Sequence, residues 1–500
     1  NFIISIWCQY IEKWMFFIRM ACFLQCGGTS PGRGKNGWKF QHFFVRTTEI
    51  LSAGDEGRRQ VPLLFWLFLL ALSYTSTFYK ARTAMKRIVT LLLACCLFTA
   101  APLNGTARAE GFALSDFGAR GTALAGGMVG RADDPSAVAW NPAGITQLPG
   151  TQMMVGMTFI QPSGTVDTEG DMGSRSTDVD THTWANPHLY LTHQFSDRLW
   201  GGVGLFSRFG LGNSYPNNWP GHLNLEYVSL KTVSLNPNLA FKVTDKLSLA
   251  LGVEFMYATM FMKKDADLGA MSPVFAGQYN QQKLSASGIN PGFNVAAHYT
   301  FNDQWAAGLT YRSRVRQRVH GHVEFDDKGM IPGHRLSNSD LHGTLNLPDV
   351  ISLGVVWRPT KDLSLEAGTV YTVWSNYRSL NIYVDDYPDS YSPKNWRDTW
   401  GFNISAEYKA LDWLTLRGGY IYETSPMNEG TCDYMTPSDG RHRITAGVGF
   451  NWDRWTVDLA YAYLIINELN YDKSSADGVR DGRSHGGDSH IAALSVGYKF

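Results

Sequence analysis

The last nine residues of the chain, Ala492-Ala493-Leu494-Ser495-Val496-Gly497-Tyr498-Lys499-Phe500, alternate between two kinds of side chain. Every second residue from Ala492 to Phe500 is apolar, and these residues together form one face of the strand. This period of two is typical of a β-strand with one face in an apolar environment. A soluble sandwich shows the same alternation. Here the second face is small as well as polar, which favours the crowded interior of a barrel.

Similar stretches recur from residue 151 onward, separated by turns of two very different lengths. The predicted strands are 151–161, 183–195, 198–208, 227–243, 246–261, 287–301, 304–323, 341–358, 362–379, 397–408, 413–424, 441–451, 454–466 and 488–500. Tight links such as Ser196-Asp197 and Asn302-Asp303 alternate with long polar loops. This layout is typical of bacterial outer-membrane barrels, because strands in hydrocarbon must close on themselves to pair every backbone group. The sequence therefore predicts an all-β fold, a transmembrane antiparallel barrel of about 14 strands.

Aromatic residues cluster near the predicted tight turns. The tryptophans in these positions are Trp200, Trp305, Trp357, Trp413, Trp452 and Trp455. Such residues are typical of the belt at a membrane–water interface. Ordinary strand aromatics are the alternative interpretation.

Ahead of the first strand lies the non-β stretch 131–146, which reads RADDPSAVAWNPAGIT. Its Asp-Pro and Asn-Pro pairs favour turns, because proline disfavours a helical conformation in the preceding residue. Ser136 and Asn141 can satisfy nearby backbone N–H groups in a compact coil. We interpret 110–150 as a plug inside the barrel of 151–500; a surface loop is the alternative.

The N-terminal part of the chain has a different character. Residues 1–84 lack periodicity and are interpreted as an upstream extension with no assigned fold. From Met85 a basic start, an apolar core and Ala107-Arg108-Ala109 predict a cleavable signal peptide over 85–109. The mature chain would then begin at Glu110.

Charge and cysteine content separate the same two parts. Residues 1–109 carry 13 Lys and Arg against 4 Asp and Glu, whereas 110–500 carry 31 against 40, a net charge of −9. An acidic body argues against nucleic acid as a partner. Cys432 is the single cysteine after residue 110, and no Cys/His spacing predicts a metal site. We expect no metal and no cofactor.

Several short motifs, in order, give the chain a resemblance to a known family. They are Gly111-Phe112-Ala113-Leu114-Ser115, Asn141-Pro142-Ala143, Leu345-Asn346-Leu347-Pro348, Tyr371-Thr372-Val373-Trp374-Ser375, Asn395-Trp396-Arg397-Asp398-Thr399, Tyr422-Glu423-Thr424-Ser425-Pro426 and Pro437-Ser438-Asp439-Gly440-Arg441-His442. With these motifs 110–500 resembles the outer-membrane long-chain fatty acid transporters, a family that includes aromatic hydrocarbon importers.

The resemblance implies a fourteen-stranded barrel closed by a plug, in the bacterial outer membrane. Asn141, Pro142 and Ala143 match the family's plug signature, and Phe112 its mature N-terminus; these residues are expected to control the plug. The implied partners are a long-chain fatty acid or another hydrophobic small molecule, outer-membrane lipid and the barrel assembly machinery, and the implied state is a monomer.

The family also releases its ligand sideways, through a gap made by a kink in the third strand. Here Gly201, Gly202 and Gly204 lie in that strand. Glycine is where strands bend or bulge, so these residues are the predicted kink. A barrel interior that simply favours glycine is the alternative. Phe206, at the end of the same strand, is a candidate ligand contact.

One departure from the family bears on the ligand. Fatty-acid-binding members often have an arginine after Tyr-Ala in the fifth strand, where this chain has Thr259, with Lys263 and Lys264 a little further on. A carboxylate favours a cationic partner, so neutral aromatic hydrocarbons stay an alternative ligand. Thr259, Lys263 and Lys264 are the candidate ligand contacts. The loop 262–286 is either an apolar landing groove or a solvated loop.

An outer-membrane enzyme and a general porin are the two other function classes that fit a barrel. Loop residues that could form a hydrolytic site are His334, Ser337, Asp340, His342, His485, Asp488 and His490. Polar loops supply such sets by chance, and a catalytic triad is defined by geometry rather than spacing. We therefore expect no catalytic residues, with an outer-membrane lipid hydrolase as the alternative class. A general porin would need an open polar lumen.

Overall fold

A computed structural model describes residues 111–170, 173–270, 273–326, 337–436, 439–474 and 476–500. The upstream extension predicted for 1–84 and the signal peptide predicted for 85–109 lie outside these residues, as does His334. Within the described part of the chain, no helix is both long enough and apolar enough to cross a membrane.

The described part of the chain begins with two short helices and then forms strands almost throughout. The helices are α1 (Ala119–Ala123) and α2 (Ala137–Trp140), followed by a 3-10 segment, Pro142–Gln147. The strands are β1 (Thr151–Gly170), β2 (Gly173–Asp178), β3 (Trp184–Gln194), β4 (Leu199–Phe206), β5 (Gly210–Ser214), β6 (Tyr227–Lys242), β7 (Leu247–Asp267), β8 (Tyr279–Thr300), β9 (Trp305–Arg312), β10 (Val315–Phe325), β11 (Ser339–Leu347), β12 (Val350–Trp357), β13 (Leu363–Thr372), β14 (Ser379–Val384), β15 (Ser390–Pro393), β16 (Thr399–Leu411), β17 (Leu414–Glu423), β18 (Arg441–Trp452), β19 (Trp455–Ile466), β20 (Leu469–Tyr471) and β21 (Gly482–Lys499).

These strands close into one antiparallel barrel. Neighbouring strands pair around the whole wall; for example, β9 pairs with β8 and β12. The wall closes because β1 pairs with both β3 and β21, with Val155 opposite Leu189 on one side and Val496 on the other. Interrupted strands such as β4 and β5 share one position in the wall, which gives fourteen positions among the described residues. Closure leaves no edge unpaired along the seam, as a bilayer requires. The predicted fold is confirmed.

The period of two separates a lipid-facing side from an interior side. On β7 the outward side chains are large and apolar, as in Leu251, which is 60% exposed, whereas the inward Met256 is 0% exposed. Because about 9–11 residues of a tilted strand span a bilayer, the 21 residues of β7 extend beyond the membrane. The outer half of the barrel therefore stands in the extracellular medium.

Aromatic residues mark both rims of the lipid-facing band. At the tight-turn rim, the rings of Trp305 and Trp357 stack with their centroids 5.6 Å apart. At the opposite rim, the hydroxyl of Tyr311 donates to Asp349 at 2.6 Å. Trp200 was predicted to lie in the belt, and this is wrong. It is 4% exposed and points inward, where its Nε1 donates to the carbonyl of Leu148 at 2.9 Å.

Three strands that were predicted as continuous are interrupted. The predicted strand 362–379 ends at Thr372, and a 3-10 turn, Trp374–Asn376, precedes β14. The predicted strand 304–323 breaks between β9 and β10, and 341–358 breaks at Pro348-Asp349 between β11 and β12. Proline has no N–H to give to a ladder. The carboxylate of Asp349 instead accepts the backbone N–H of Arg314 at 2.9 Å and its guanidinium at 3.1 Å, which joins the two breaks.

Candidate functional site

Residues 111–148 lie inside the barrel and are held there by buried polar contacts. Asn141 is 0% exposed. Its Nδ2 donates to the carbonyl of Val129 at 2.9 Å and to that of Ala297, in the wall, at 3.1 Å. Its Oδ1 accepts the N–H of Ala143 at 3.1 Å, which starts the 3-10 segment at Pro142. The sequence interpretation as a surface loop is therefore excluded.

A second anchor comes from the wall and was missed in the sequence. Arg312, on β9, points inward and donates to the carbonyl of Val138 at 2.6 Å and to that of Ala139 at 2.7 Å. These carbonyls belong to the last turn of α2, whose C=O groups lack partners within the helix. A cation at that end also interacts favourably with the peptide dipoles. Arg312 also donates to Asn236 Oδ1 at 3.0 Å.

Ion pairs fasten the rest of this segment to the wall. Glu366 accepts the backbone N–H groups of Gly130 and Arg131 at 2.9 and 3.0 Å, and its carboxylate lies 3.2 Å from the Arg131 guanidinium. Arg120 pairs with Glu407 at 2.8 Å. Removing one partner from a buried pair leaves an uncompensated charge, which costs roughly 3–5 kcal/mol. These pairs therefore favour a plug that holds its position.

The three glycines of the third strand do not form its break. Gly201, Gly202 and Gly204 all pair regularly with both neighbouring strands. A Cβ on Gly202 would lie 2.8 Å from Cγ2 of Val138, so the glycine lets the plug approach the wall. The strand is interrupted after Phe206, at 207–209. Placing the kink at the glycines was therefore wrong.

The interruption opens a gap in the hydrogen-bonded wall. The ladder between β3 and β4 ends at Leu189 and Leu205. Beyond it, β5 pairs with β6, and residues 184–188 of β3 pair with β1, but no pairing joins β3 to β5. Pro187 lies in this free stretch, as expected for a residue confined to sheet edges. The wall between 184–188 and 207–214 is thus held together without a ladder.

The N-terminal segment covers this gap from inside. Ala113 bridges Phe209 in antiparallel fashion. The N–H of Leu114 donates to the carbonyl of Arg208 at 2.8 Å, and the N–H of Gly210 donates to the carbonyl of Phe112 at 3.0 Å. Residues 112–114, which we call the strap, therefore replace part of the missing strand neighbour at the break.

The side chain of Phe112 anchors the strap in an aromatic cage. Its ring centroid lies 4.8 Å from Trp374, 5.5 Å from Trp396, 5.7 Å from Tyr377 and 6.3 Å from Phe209. Such edge-to-face contacts add about 0.5–1.5 kcal/mol each beyond area burial. The strap is thus tied to the extracellular half of the interior.

That half of the interior is mostly apolar, although it also holds the buried ion pair of Lys394 with Asp433. One cluster of buried side chains joins the cage to the inward faces of β6, β7, β10 and β11, and includes Leu230, Met262 and Leu341. A narrow cavity of about 20 Å³ lies within it, beside Met260 and Leu345. A larger ligand enters this site only if flexible side chains such as methionine move.

A cation stands beside this apolar region. Lys264 belongs to the inward series of β7 that includes Met260 and Met262, which line the cavity. The ammonium of Lys264 has no hydrogen-bond or ion-pair partner among the described residues. Burial lowers the pKa of Lys264, partly offset by the charge of Asp477. An anionic group in the lumen would restore a favourable environment for this charge.

The other predicted ligand contacts face elsewhere. Thr259 and Lys263 have the outward parity of Tyr257, so they lie on the outer face of the wall. There they border an open cleft of about 710 Å³. Lys263 is already paired, 3.2 Å from the carboxylate of Glu226. Thr259 and Lys263 therefore do not face the lumen, because alternate residues of a strand point to opposite faces.

Phe206 and the loop after β7 also differ from expectation. Phe206 points inward but packs 5.3 Å from Phe117 of the plug, and the Arg312 guanidinium lies 5.3 Å from its ring. The loop is shorter than 262–286, because β7 continues to Asp267. Phe206 therefore contacts the plug, at the end of β4 where the break in the wall begins.

The histidine-containing loops do not assemble a triad among the described residues. His342 stacks on Tyr383 at 5.1 Å, and the hydroxyl of Ser337 lies 3.5 Å from that of Tyr387. His490 is bonded to the hydroxyl of Tyr461 at 2.6 Å. In the same part of the chain, no group of three His, Cys, Asp or Glu side chains is placed to hold a metal ion.

Comparison with known proteins agrees with this architecture. A family described as "Outer membrane protein transport protein (OMPP1/FadL/TodX)" matches residues 100–500. The long-chain fatty acid transport protein of Escherichia coli O6:H1 is 25% identical over 412 residues, which are 75% of this chain and 91% of that protein.

Solved structures share the fold. A Pseudomonas aeruginosa FadL homologue superposes with a TM-score of 0.71 at 22% identity, covering 78% of this chain and 100% of its own. The Ralstonia pickettii toluene transporter TbuX gives 0.60 at 17% identity, covering 77% and 99%. The family match spans the whole barrel and its plug, so the resemblance and the outer-membrane location are confirmed. This chain belongs to the OMPP1/FadL/TodX family of outer-membrane transport proteins.

Proposed function

We propose that this protein takes up hydrophobic molecules passively across the outer membrane, with long-chain fatty acids as the preferred class. The ligand would enter the apolar extracellular half of the lumen and leave sideways into the bilayer, between β3 and β5. One observation supports the proposal above all: an apolar interior lies next to a break in the wall at 207–209. The strap connects the two, because its backbone is hydrogen-bonded at the break and Phe112 packs in the apolar cluster.

Sideways release has a physical reason. An acyl chain loses favourable burial of about 0.8 kcal/mol for each CH₂ that must pass through water. The lower lumen offers no apolar route, because it is filled by the plug and by ion pairs such as Arg131–Glu366. A passage from the cluster around Met262 through the gap keeps the chain in apolar surroundings.

Uptake by cells tests the proposal. A Gram-negative strain without its own long-chain fatty acid importer is expected to accumulate labelled fatty acid when it expresses this protein. Mass spectrometry of lipid that co-purifies with the barrel is expected to find fatty acid. An aqueous pore is the rival function, and it predicts steady ion conductance in planar bilayers. Conductance without fatty acid uptake would contradict the proposal.

Lys264 supports a carboxylate-bearing ligand over a neutral one. Its ammonium belongs to the inward series of β7, forms no hydrogen bond or salt bridge among the described residues, and interacts with the charge of Asp477 without a direct contact. A hydrogen bond to a charged group contributes roughly 1.5–3 kcal/mol. Aromatic hydrocarbons stay the second candidate, because TbuX is named a toluene transporter and shares this fold.

Replacing the ammonium by a thioether of similar length tests this assignment. Lys264→Met is expected to weaken fatty acid binding roughly tenfold or more, and to leave binding of the matching fatty alcohol nearly unchanged. Lys246→Met, in an exposed tight turn, is the matched control and is expected to have no effect. Binding of acid and alcohol is measured by displacement of a fluorescent lipid. Equal loss of both ligands would argue against a carboxylate contact.

The lowered pKa of Lys264 adds a pH dependence. The ammonium binds a carboxylate only when protonated, and burial makes it lose its proton at a lower pH than usual. Fatty acid affinity is therefore expected to fall as the pH rises through this lowered pKa. Lys264→Met is expected to lack that decline. The measurement is the same displacement assay repeated over alkaline pH.

A further inference from the structure

Two arginines stand side by side on the outer face of β10. Arg316 and Arg318 are exposed, and they alternate with the buried Val315, Gln317 and Val319. Residues two apart on one face of a strand are about 7 Å apart along the strand. Their guanidinium groups therefore lie on the membrane side of the wall, outside the lumen and the proposed transport route.

Strand register places these arginines at the extracellular rim of the lipid-facing band. The outward Ile289 of β8 is 68% exposed and pairs with Tyr257. The neighbouring Asn290 donates to the carbonyl of Arg318 at 3.1 Å, which sets Arg318 level with Ile289. The next outward residue of β8 is Ser287, which faces His320. Arg316 and Arg318 thus stand where hydrocarbon gives way to lipid headgroups.

The nearby carboxylate at this rim, Asp349, is already bound by Tyr311 at 2.6 Å and by the guanidinium of Arg314 at 3.1 Å. The row of outward residues just above Arg318, from β6 across to β11, is Lys231, Thr259, Ser287, His320 and His342. On the extracellular side of the arginines, the outward acid of β11 is Asp340, four residues from Thr344, the partner of Arg318. That separation is about 13 Å. Neither arginine forms an ion pair among the described residues.

We propose that Arg316 and Arg318 bind the phosphate groups of a phosphorylated glycolipid of the outer leaflet. A guanidinium offers parallel N–H donors that match a phosphate bidentately. Basic side chains next to an apolar band are the pattern that recognises anionic lipid at a membrane surface. The acyl chains of the same lipid would lie along the outward side chains below, such as Ile289 and Phe293.

Binding to lipid A tests the proposal. The double variant Arg316→Gln/Arg318→Gln, purified in detergent, is expected to bind bisphosphorylated lipid A about thirtyfold more weakly than the unchanged protein at low salt. The readout is native mass spectrometry, calibrated by titration. Arg316→Lys/Arg318→Lys keeps the positive charge but not the bidentate geometry of the guanidinium, and it is expected to lose only part of the affinity.

Three controls separate this site from other effects. Arg198→Gln/Lys246→Gln removes two exposed charges at the opposite rim, and is expected to leave lipid A binding unchanged. Dephosphorylated lipid A is expected to bind all variants weakly and alike. Fatty acid uptake by the Arg316→Gln/Arg318→Gln variant is expected to be unchanged. A wrong transport proposal and a wrong lipid-binding proposal would therefore give different results.

Three outcomes would overturn the lipid site. One is equal binding of lipid A by the glutamine variant and the unchanged protein, with unchanged thermal unfolding of both. A second is binding of lipid A that persists equally after its phosphates are removed. Competition by inorganic phosphate as strong as that by lipid A would also overturn it, because the acyl chains would then contribute nothing.

Discussion

Oxidation of the double variant Ala113→Cys/Phe209→Cys, made in a Cys432→Ser background, is expected to stop uptake by more than tenfold, and reduction to restore it. Ala113 and Phe209 face each other between the two hydrogen bonds of the strap. This is a non-hydrogen-bonded antiparallel pair, whose Cα atoms are typically about 4.5 Å apart. A disulfide bridges Cα atoms about 4.4–6.8 Å apart. The bond would fix the strap across the gap.

On the proposed lateral route, ligand leaves the barrel only when the strap moves away from the gap. The strap holds the edge of the interrupted strand through backbone bonds at 2.8 and 3.0 Å, and such bonds can open and close. Uptake of labelled fatty acid is measured with and without a membrane-permeant reductant. Phe209→Cys alone, in the same background, controls for loss of the ring from the cage. Full uptake by the oxidised double variant would show that the strap need not release.

Asn141→Ala is expected to reduce uptake strongly while the barrel still assembles. The substitution leaves the carbonyls of Val129 and Ala297 without their amide donor in a buried place. An unsatisfied buried group costs about 1–3 kcal/mol. The loss of both therefore destabilises the seated plug by roughly 2–6 kcal/mol, while the ladders of the wall are untouched.

Hydrogen exchange distinguishes this outcome from general instability. Amides of residues 129–147 are expected to exchange about 30-fold faster or more in the variant, as the free-energy difference implies. Amides of β16 to β19, far along the wall, are expected to be unchanged. Asn451→Ala, at an exposed tight turn, is the matched control. Unchanged exchange and uptake in Asn141→Ala would remove Asn141 from the plug mechanism.

The architecture of the wall could be predicted because it is a local property of the chain. In β21 the outward Leu494 and the inward Ser495 follow from alternation alone. The tight turns, such as the hairpin closed by the pair Trp452–Trp455, follow from short polar links. A bilayer admits strands only in a closed barrel, so these local patterns also imply the global fold.

The choice of Thr259 and Lys263 as candidate ligand contacts did not take strand parity into account. It rested on a family position rather than on the parity of Leu251, Phe255 and Tyr257, which places both residues outside. Lys264 has the opposite parity and does face the lumen. A shift of one residue reverses the face on which a side chain lies.

Sequence by itself determined the strand pattern, the number of wall positions and the presence of an interior segment ahead of Thr151, because each follows from periodicity, turn length or proline. Tertiary structure alone decided where the wall opens and what holds the plug. Glu366 meets Arg131 from 235 residues away, and Arg312 meets Val138 from 174. Such pairs form only when closure of the barrel brings distant strands around the plug, and no local pattern of residues records that meeting.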